Sequence, residues 1–449
     1  MAYVTASLSL QILDERPAMS RRPASSTAFP PALLTMPTFG GTLAAVRALG
    51  ARGIPVTVAG SEFLAPARWS RYAQRFVRCP STRNLDRFLD WLLAFGEREP
   101  GHFLYPASDD LAWLFASHAE ELKKHFLLFQ PPVATLVSLL DKKRLHAACA
   151  SVGLATMPTW FPTGIEDVER LLPQLQMPLV IKPRTQVHLS TSNKGRLIED
   201  RGDVVRRYRE WLKRHLYRPG LEKDFGDVSL PMLQAFDMGA QLGVYSLSGF
   251  VHRDGRLLGA RAALKVLQRP RRVGVGLCFE DAPVELDLLD RVVALCREVG
   301  YFGVFEVEFV LDGDQHRLID FNPRFYGQMH FESARALPLP VFAYLAATGD
   351  EAGLATLSEE AHGHDTAGSA YCFQFGHQML LTLRRLAGTS SAAESERWKV
   401  WNVRNRERMV DASADAEDWL PGVVHATAEL WRAARYARGY VRDSVFDPD

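Results

Sequence analysis

Short apolar runs alternate with helix-period segments over the first third of the chain. The apolar run 32–36 leads into a glycine-containing turn, a segment with apolar residues at helical spacing, and a second apolar run, "IPVTVAG". A strand, a helix and a strand in this order predict a βαβ unit, which implies a parallel sheet. The later run "GHFLYPASDD" predicts another strand, followed by a helix capped by Ser108 or Asp109. Residues 31–140 are therefore expected to form a small α/β domain.

The turn before the first helix contains Gly40 and Gly41, and two interpretations apply to it. Paired glycines at a helix N-terminus can hold a phosphate group. This turn does not follow the GxGxxG spacing, and no acidic residue ends the second strand at the ribose position. A tight βα turn is therefore favoured over a dinucleotide site.

From residue 141 the pattern changes to a basic helix followed mainly by extended segments. The strand "PLVIKPR" carries Lys182 near its end, and the polar stretch "TQVHLSTSNKG" follows it. Residues 230–281 are mostly extended, and a helix at about 284–299 and a hairpin complete the unit. An antiparallel sheet with helices against it, after a separate α/β domain, is an α+β architecture.

The hairpin "EVEFVLDGDQHRLIDFNPRFYG" places acids among buried-type apolar residues. Within each strand the polar positions alternate, so Glu306 shares a face with Glu308 and Asp320 shares a face with Asn322. A three-residue loop would bring all four to one face, whereas a two-residue turn would separate the two strands' acids. Carboxylates with an amide oxygen suit Mg²⁺. The alternative is a set of ion pairs with nearby cations, namely Arg324, Arg317 or Lys265.

Four cations accompany this hairpin along the chain. A lysine that begins or ends an element is usually a surface residue, but several flanking a metal-type acid cluster are suited to hold a polyphosphate. The four are Lys142, Lys182, Lys265 and Arg324.

Composition restricts the class of protein. A length of 449 residues predicts two or three domains, and 47% hydrophobic with 23% charged residues is typical of a globular chain. A formal net charge of +1 gives no reason to expect a nucleic-acid partner. Five cysteines without CxxC spacing predict reduced thiols, and no apolar run is long enough to span a membrane. A cytoplasmic protein is expected, without stable membrane insertion.

Two further segments each have two interpretations. The C-terminal helix carries Arg432, Arg435, Arg438 and Arg442 beside an apolar stripe. Such a helix either lies on an anionic membrane or packs its stripe on its own domain, and packing is favoured. The segment "RWSRYA" of the first domain is suited either to bind a carboxylate or to form a structural ion pair.

Taken in order, these motifs resemble the ATP-grasp superfamily of ADP-forming ligases, in its carbamoyl-phosphate-synthase-like branch. "LLDKKRLHAACASVGLATMPTW", "LVIKPR", "MLQAFDMG", "VYSLSGFVHRDGRLLGARAALK" and "EVEF…LIDFNPRFYG" match successive motifs of that family over residues 32–345. The resemblance implies an ATP-grasp fold preceded by a small Rossmann-like α/β domain. The expected units are a flexible extension 1–30, a pre-ATP-grasp domain 31–140, an ATP-grasp domain 141–350 with lobes 141–228 and 229–350, and a helical C-terminal extension 351–449.

The resemblance also implies a nucleotide site. Lys142 and Lys182 would contact the ATP phosphates, with Lys182 also near adenine. Gln234 and the backbone around Phe236 would bind the adenine edge. Gln241 stands at the ribose position, where an acid is common.

The implied catalytic residues follow the same motifs. Lys265 would contact the β- or γ-phosphate, and Arg324 would stabilise the phosphoryl group in transfer. Glu308, Asp320 and Asn322 would hold Mg²⁺, or Mn²⁺ in its place, although Asp320 stands where Glu is commoner. Glu306 receives no role from the resemblance.

The implied activity is a carboxylate–amine ligation through an acyl phosphate, acting on small molecules or a peptide. A homodimer is also a possibility that the resemblance raises. The stretch 185–195 would cover the phosphates, although it contains only one glycine where the family has several. Two alternatives stay open: a non-catalytic, regulatory ATP-binding protein, and a phosphorylating or carboxylating enzyme on the same scaffold.

Overall fold

A computed structural model describes residues 29–189, 195–214, 216–226, 228–236, 243–269, 274–364 and 368–445. The first unit is a parallel sheet whose three central strands are apolar and buried on both faces. Its strands are β1 Ala32–Leu34, β2 Val56–Gly60, β3 Arg75–Arg78, β4 His102–Leu104 and β5 Phe126–Leu128. They pair in the order β3-β2-β1-β4-β5. The helices are α1 Gly40–Ala51, α2 Leu85–Arg98, α3 Asp109–Ser117, α4 Ala119–Leu122 and α5 Val133–Leu140, with a 3-10 turn at Pro66–Trp69. The expectation of a small α/β domain is confirmed.

The second unit is a small antiparallel sheet. Its strands are β6 Thr159–Trp160, β7 Leu179–Lys182, β8 Arg196–Ile198 and β9 Met232–Ala235, in the order β6-β9-β7-β8. Its helices are α6 Lys142–Ser151, α7 Ile165–Leu171, α8 Val204–Leu212 and α9 Glu222–Phe225, with 3-10 turns at Leu172–Gln174 and Arg201–Asp203. Apolar residues of the sheet pack on α7 and α8 and form a separate core.

The third unit is a seven-stranded sheet. Its strands are β10 Val244–Val251, β11 Leu257–Arg269, β12 Val275–Ala282, β13 Gly303–Asp312, β14 Gln315–Asn322, β15 Ala370–Cys372 and β16 Met409–Asp411. They pair in the order β14-β13-β10-β11-β12-β15-β16. The helices that follow β12 and β14 are α10 Leu286–Val299, α11 Met329–Ala334, α12 Leu339–Thr348 and α13 Glu351–His362.

The C-terminal segment forms the helices α14 Gln374–Leu386, α15 Ala392–Asn405, α16 Leu420–Arg435 and α17 Ala437–Val445. The expected helical extension 351–449 also contains two strands, because β15 pairs with β12 and β16 pairs with β15. These two strands make the segment part of the large sheet. Within the described ranges, no helix has both the length and the apolar character that crossing a bilayer requires.

Two apolar cores join the first unit to the large sheet. One contains Leu33 and Leu104 of the parallel sheet together with Phe305 and Phe309 of β13. The other contains Phe103 of the parallel sheet together with Phe342 of α12, which packs on the large sheet. Because both faces of the parallel sheet continue into the large sheet, the two units form one packed body in which groups of the first unit can meet groups of the hairpin β13–β14.

Candidate functional site

The hairpin β13–β14 brings its polar residues to one face by means of a bulge. Its turn has two residues, since Asp312 pairs with Gln315 and Gly313 adopts a left-handed φ of 60°. The register then shifts between Glu308 and Phe309, where Ile319 has no partner on β13. Beyond this bulge Glu308 lies opposite Asp320, as Glu306 lies opposite Asn322. A two-residue turn alone would have placed the acids of the two strands on opposite faces.

Each acid predicted to bind metal lies beside a different lysine. The Lys265 Nζ donates to a Glu308 oxygen at 2.7 Å, and Lys142 forms an ion pair with Asp320. Burial works against the charge on Lys265, but the nearby carboxylates, Glu308 first, outweigh it and raise the pKa of its ammonium group. Arg317 takes no part, because it pairs with Asp312 at the turn. The acids therefore lie on one face, as a Mg²⁺ site requires. They also form ion pairs there, as the alternative interpretation predicted.

Glu306, to which the resemblance gave no role, is a buried partner of Asn322. Its carboxylate accepts hydrogen bonds from Ser246 Oγ at 2.5 Å, Asn322 Nδ2 at 2.6 Å and Gln328 Nε2 at 3.0 Å. Burial, followed by repulsion from Glu308, raises the pKa of Glu306 to about 7. Because Glu306 binds the amide nitrogen of Asn322, the Oδ1 of Asn322 faces the other way, toward the cations.

Arg324 is fixed by the first unit. Its Nε donates to Asp109 Oδ1 at 2.5 Å and its Nη2 donates to Asn322 Oδ1 at 2.7 Å. Burial opposes the charge of Arg324, but Asp109 outweighs it and raises the pKa of the guanidinium group. Ser108 is the N-cap of α3, and its hydroxyl accepts from the Leu111 amide at 3.2 Å. Because Ser108 caps the helix, the carboxylate of Asp109 is available to bind Arg324. No local pattern in the sequence indicates this role.

Lys142 is oriented by the residue before it. Asp141 is fully buried, caps α6 by accepting from the Lys143 amide at 3.0 Å, and pairs with Arg184 at 2.5 Å. The pKa of His146, one turn further along α6, is lowered to about 4 by burial and by the charges of Lys142 and Lys182. The Lys142 amide donates to the Arg184 carbonyl at 2.9 Å, so the start of α6 lies beside the chain that follows Lys182 and β7.

The predicted adenine residues lie on β9 and directly after it. Gln234 is buried, and its Nε2 donates to Thr159 Oγ1 at 2.9 Å. The Phe236 amide donates to the Pro178 carbonyl at 2.9 Å, so this N–H already has a hydrogen-bonding partner within the chain. Gln241 lies outside the described residues, as do residues 190–194 of the expected phosphate cover.

A cavity of about 430 Å³ lies against this face of the hairpin. Its walls come from the first unit, the hairpin and the C-terminal helices. The lining residues include Thr38, Phe39, Gly40, Asp109, Arg269, Leu277, Asp320, Asn322, Arg324, Phe373, Gly376, His425, Glu429 and Arg432. Aromatic and charged groups are both present, which suits a small polar organic molecule.

Gly40 and Gly41 allow one wall of the cavity to approach the other. A Cβ atom on Gly40 would lie 2.8 Å from the Gly327 carbonyl oxygen, and one on Gly41 would lie 2.5 Å from the Tyr326 carbonyl oxygen. Both distances are too short for a real side chain. The glycine pair is therefore explained by close packing of α1 against the chain that follows β14, which agrees with the favoured reading as a tight turn.

The C-terminal helices pack on the rest of the chain through charged contacts. Asp418 accepts from Arg47 Nε at 2.9 Å and Ser70 Oγ at 2.7 Å, so the segment "RWSRYA" forms a structural contact. Glu429 of α16, buried at the cavity wall, pairs with Arg269 of β11 at 2.7 Å. Packing of the basic helix is thus observed through Glu429 and the buried Val424, whereas Leu430 and Trp431 of its apolar stripe are exposed.

Comparison with known proteins bears on the fold. No family model matches the sequence, and a search of the curated proteins finds no match. Solved structures do match over most of the chain. The biotin carboxylase domain dimer of Hydrogenobacter thermophilus 2-oxoglutarate carboxylase, in complex with MgADP, ADP and bicarbonate, is 18% identical with a TM-score of 0.56, covering 72% of this chain and 70% of that one.

An L-amino acid ligase from Bacillus licheniformis is 15% identical with a TM-score of 0.54, covering 72% of this chain and 75% of that one. The N5-carboxyaminoimidazole synthetase of Staphylococcus aureus is 13% identical with a TM-score of 0.52, covering 72% and 78%. These proteins all have the ATP-grasp fold. The chain has the ATP-grasp fold. The expected fold, preceded by a small α/β unit, is confirmed, and the roles of individual residues in this ATP-grasp chain remain predictions.

Proposed function

We propose that the chain is an ATP- and Mg²⁺-dependent, ADP-forming ligase that joins a carboxylate to an amine through an acyl phosphate. The observation that carries this proposal is the hairpin face, on which Glu308 lies opposite Asp320, with Asp320 and Asn322 lining a cavity. Burying acids in a strand is unfavourable unless they are paired or bind a cation. The ATP-grasp fold of the chain supports the same assignment.

The residues of the site are chemically suited to hold both Mg²⁺ and the phosphates of ATP. Glu308, Asp320 and the Oδ1 of Asn322 are hard oxygen donors, and each contacts a different cation: Lys265, Lys142 and Arg324 respectively. Mg²⁺ held by the three oxygen donors would neutralise charge on the phosphate oxygens of ATP. The two lysines, released from their carboxylates, are then available to the phosphates.

Residues of this chain can be assigned to phosphoryl transfer and to the protection of the acyl phosphate. Arg324, fixed between Asp109 and Asn322, places a guanidinium beside the phosphoryl group in transfer. A carboxylate oxygen of the substrate attacks the γ-phosphorus, the bond to the bridging oxygen breaks, and ADP leaves. An amine nitrogen then attacks the acyl carbon, loses its proton, and expels phosphate. Walls from three parts of the chain would limit hydrolysis of the acyl phosphate by water.

The cavity favours an organic carboxylate over bicarbonate as the acceptor of phosphate. Bicarbonate has four heavy atoms, whereas the space of about 430 Å³ also offers the aromatic rings of Phe39 and Phe373. At the far wall the Glu429–Arg269 pair and Arg432 provide charges for the polar groups of a small substrate. A carboxylase is a distinct second candidate, because two similar structures, both of the 2-oxoglutarate carboxylase domain, hold bicarbonate.

The test is an ADP-release screen of paired carboxylates and amines, with bicarbonate as one of the carboxylates. We expect release that needs Mg²⁺, one carboxylate and one amine, and that falls at least a hundredfold in Glu308→Gln and in Asp320→Asn. Asp314→Asn, an exposed acid in the same hairpin turn, is the matched control and should retain activity. Full turnover in either site variant would refute the metal assignment.

The other outcomes of the screen separate the alternatives. ATP binding without ADP release for any pair would favour a regulatory protein, and release with bicarbonate alone would favour a carboxylase. We also propose a homodimer, to be measured by sedimentation of the same protein.

A further inference from the structure

Two cysteines and a histidine meet on the far side of the cavity wall. Cys278 of β12 lies directly opposite Cys372 of β15, and their Sγ atoms are 3.2 Å apart. His377, in the second turn of α14, completes the group, with the three potential ligand atoms all within 4.8 Å of one another. All three residues are buried, with at most 1% of their surface exposed.

His377 is buried beside the two thiols, which lie within 4.8 Å of one of its ring nitrogens. Among the described residues, neither its Nδ1 nor its Nε2 forms a hydrogen bond. The rings around it are the apolar edges and faces of Trp398 and Trp401, with centroids 5.1 and 5.7 Å away. A buried imidazole with both nitrogens unsatisfied is unfavourable, and such groups in native proteins usually have a functional reason.

The cysteine pair is set apart from other buried cysteines by its position. Cys149 and Cys296 are buried outside the group of potential ligands. The thiols of Cys278 and Cys372 would lose their protons on binding a cation, because the thiolate is the form that ligates.

We propose that Cys278, Cys372 and His377 bind a thiophilic cation, Zn²⁺ or Cu⁺. Two thiolates and an imidazole are the ligand types that these ions prefer. With Zn–S bonds of about 2.3 Å at a tetrahedral angle, the two sulfurs would lie about 3.8 Å apart. The thiols therefore need to separate by only about 0.6 Å from their positions here. Two thiolates would neutralise Zn²⁺ in a buried setting.

The position of the group indicates what the cation would do. Its ligands are sequence neighbours of Leu277, Phe373 and Gly376, which line the cavity. A cation would join β12, β15 and α14, and so would fix the wall that the C-terminal segment contributes. The proposal concerns residues separate from Glu308 and Asp320, and it does not rest on the ligase activity.

The experiment uses the full chain, reduced and refolded with either Co²⁺, as the spectroscopic substitute for Zn²⁺, or Cu⁺ supplied from a coloured chelator. Refolding is included because the ligands are buried and a cation would enter as the C-terminal segment folds onto β12. We expect one equivalent of metal per chain, thiolate-to-Co²⁺ absorption that Zn²⁺ abolishes, or withdrawal of Cu⁺ from the chelator. The metal should also raise the melting temperature.

Matched variants locate the site. Cys278→Ser, Cys372→Ser and His377→Asn should each lower the affinity at least tenfold and remove the gain in melting temperature, while Cys149→Ser should keep both. X-ray absorption of the loaded wild-type chain needs no variant and should show two sulfur and one nitrogen scatterers from the protein. Failure of both metals to bind, a shell of oxygen and nitrogen alone, or a Cys278–Cys372 disulfide in place of metal binding would overturn the proposal.

Discussion

Asp109 provides a sharp test of how the first unit supports the site. Its carboxylate holds Arg324 at 2.5 Å, and each of these side chains is only 17% exposed. In Asp109→Asn the side chain keeps its shape and loses its charge. Arg324 then remains largely buried with neutral hydrogen-bonding acceptors, namely the new amide oxygen, Asn322 and a backbone carbonyl, among the residues described here.

The magnitude follows from burial. Removing one partner of a buried ion pair costs about 3 to 5 kcal/mol, and the remaining exposure of this pair favours the lower end. Loss of a negative charge from the first turn of a helix adds at most about 1 kcal/mol. Asp86→Asn measures that smaller part alone, because Asp86 is exposed in the first turn of α2. We expect Asp109→Asn to lower the free energy of unfolding by about 3 kcal/mol and Asp86→Asn by less than about 1 kcal/mol.

Urea denaturation followed by tryptophan fluorescence measures both variants, and Trp113 reports from α3 itself. The difference of about 2 kcal/mol corresponds to roughly a thirtyfold change in the unfolding equilibrium. Equal stability of the two variants would refute the conclusion that the first unit holds Arg324 by charge.

Two further predictions concern packing and pH. Gly41→Ala should lower the free energy of unfolding by about 2 kcal/mol, because its Cβ would meet the Tyr326 carbonyl oxygen, whereas Gly376→Ala has open space and should gain about 0.5 to 1 kcal/mol; equal denaturation midpoints would contradict this. His146, whose folded pKa is about 4, resists protonation that the unfolded chain accepts near 6.5. The wild type should therefore lose about 2 kcal/mol from this residue between about pH 7.5 and about pH 5, a loss absent in His146→Gln. The exposed control His362→Gln should follow the wild type, and an unchanged pH profile in His146→Gln would contradict the assignment.

The fold and the alternation of polar residues within each hairpin strand could be predicted from the sequence because both depend on local patterns. Apolar runs with helical and alternating spacing predicted the parallel sheet and the antiparallel sheet. The alternation of Glu306 with Glu308 and of Asp320 with Asn322 required only the period of a strand. Whether the acids of the two strands lie on the same face depended on the bulge at Ile319, which compensates for the two-residue turn. A bulge has no local signature in this segment, so both registers were open.

Long-range partners could not be predicted from spacing. The contact of Asp109 with Arg324 spans 215 residues, and that of Arg47 with Asp418 spans 371. The strands β15 and β16 have three residues each, too few for alternation to distinguish them from loop. Consequently neither the pairing of Cys278 with Cys372 nor the C-terminal wall of the cavity was expected.

The central claim is that the hairpin acids form a Mg²⁺–ATP site. A crystal structure of the chain with Mn²⁺ and a non-hydrolysable ATP analogue tests it directly, because Mn²⁺ gives an anomalous signal. The account predicts an anomalous peak at coordination distance from Glu308, Asp320 and Asn322, with Lys142 and Lys265 moved from the carboxylates to the phosphates. A bound nucleotide with Mn²⁺ elsewhere, and with both lysine–carboxylate pairs intact, would contradict it.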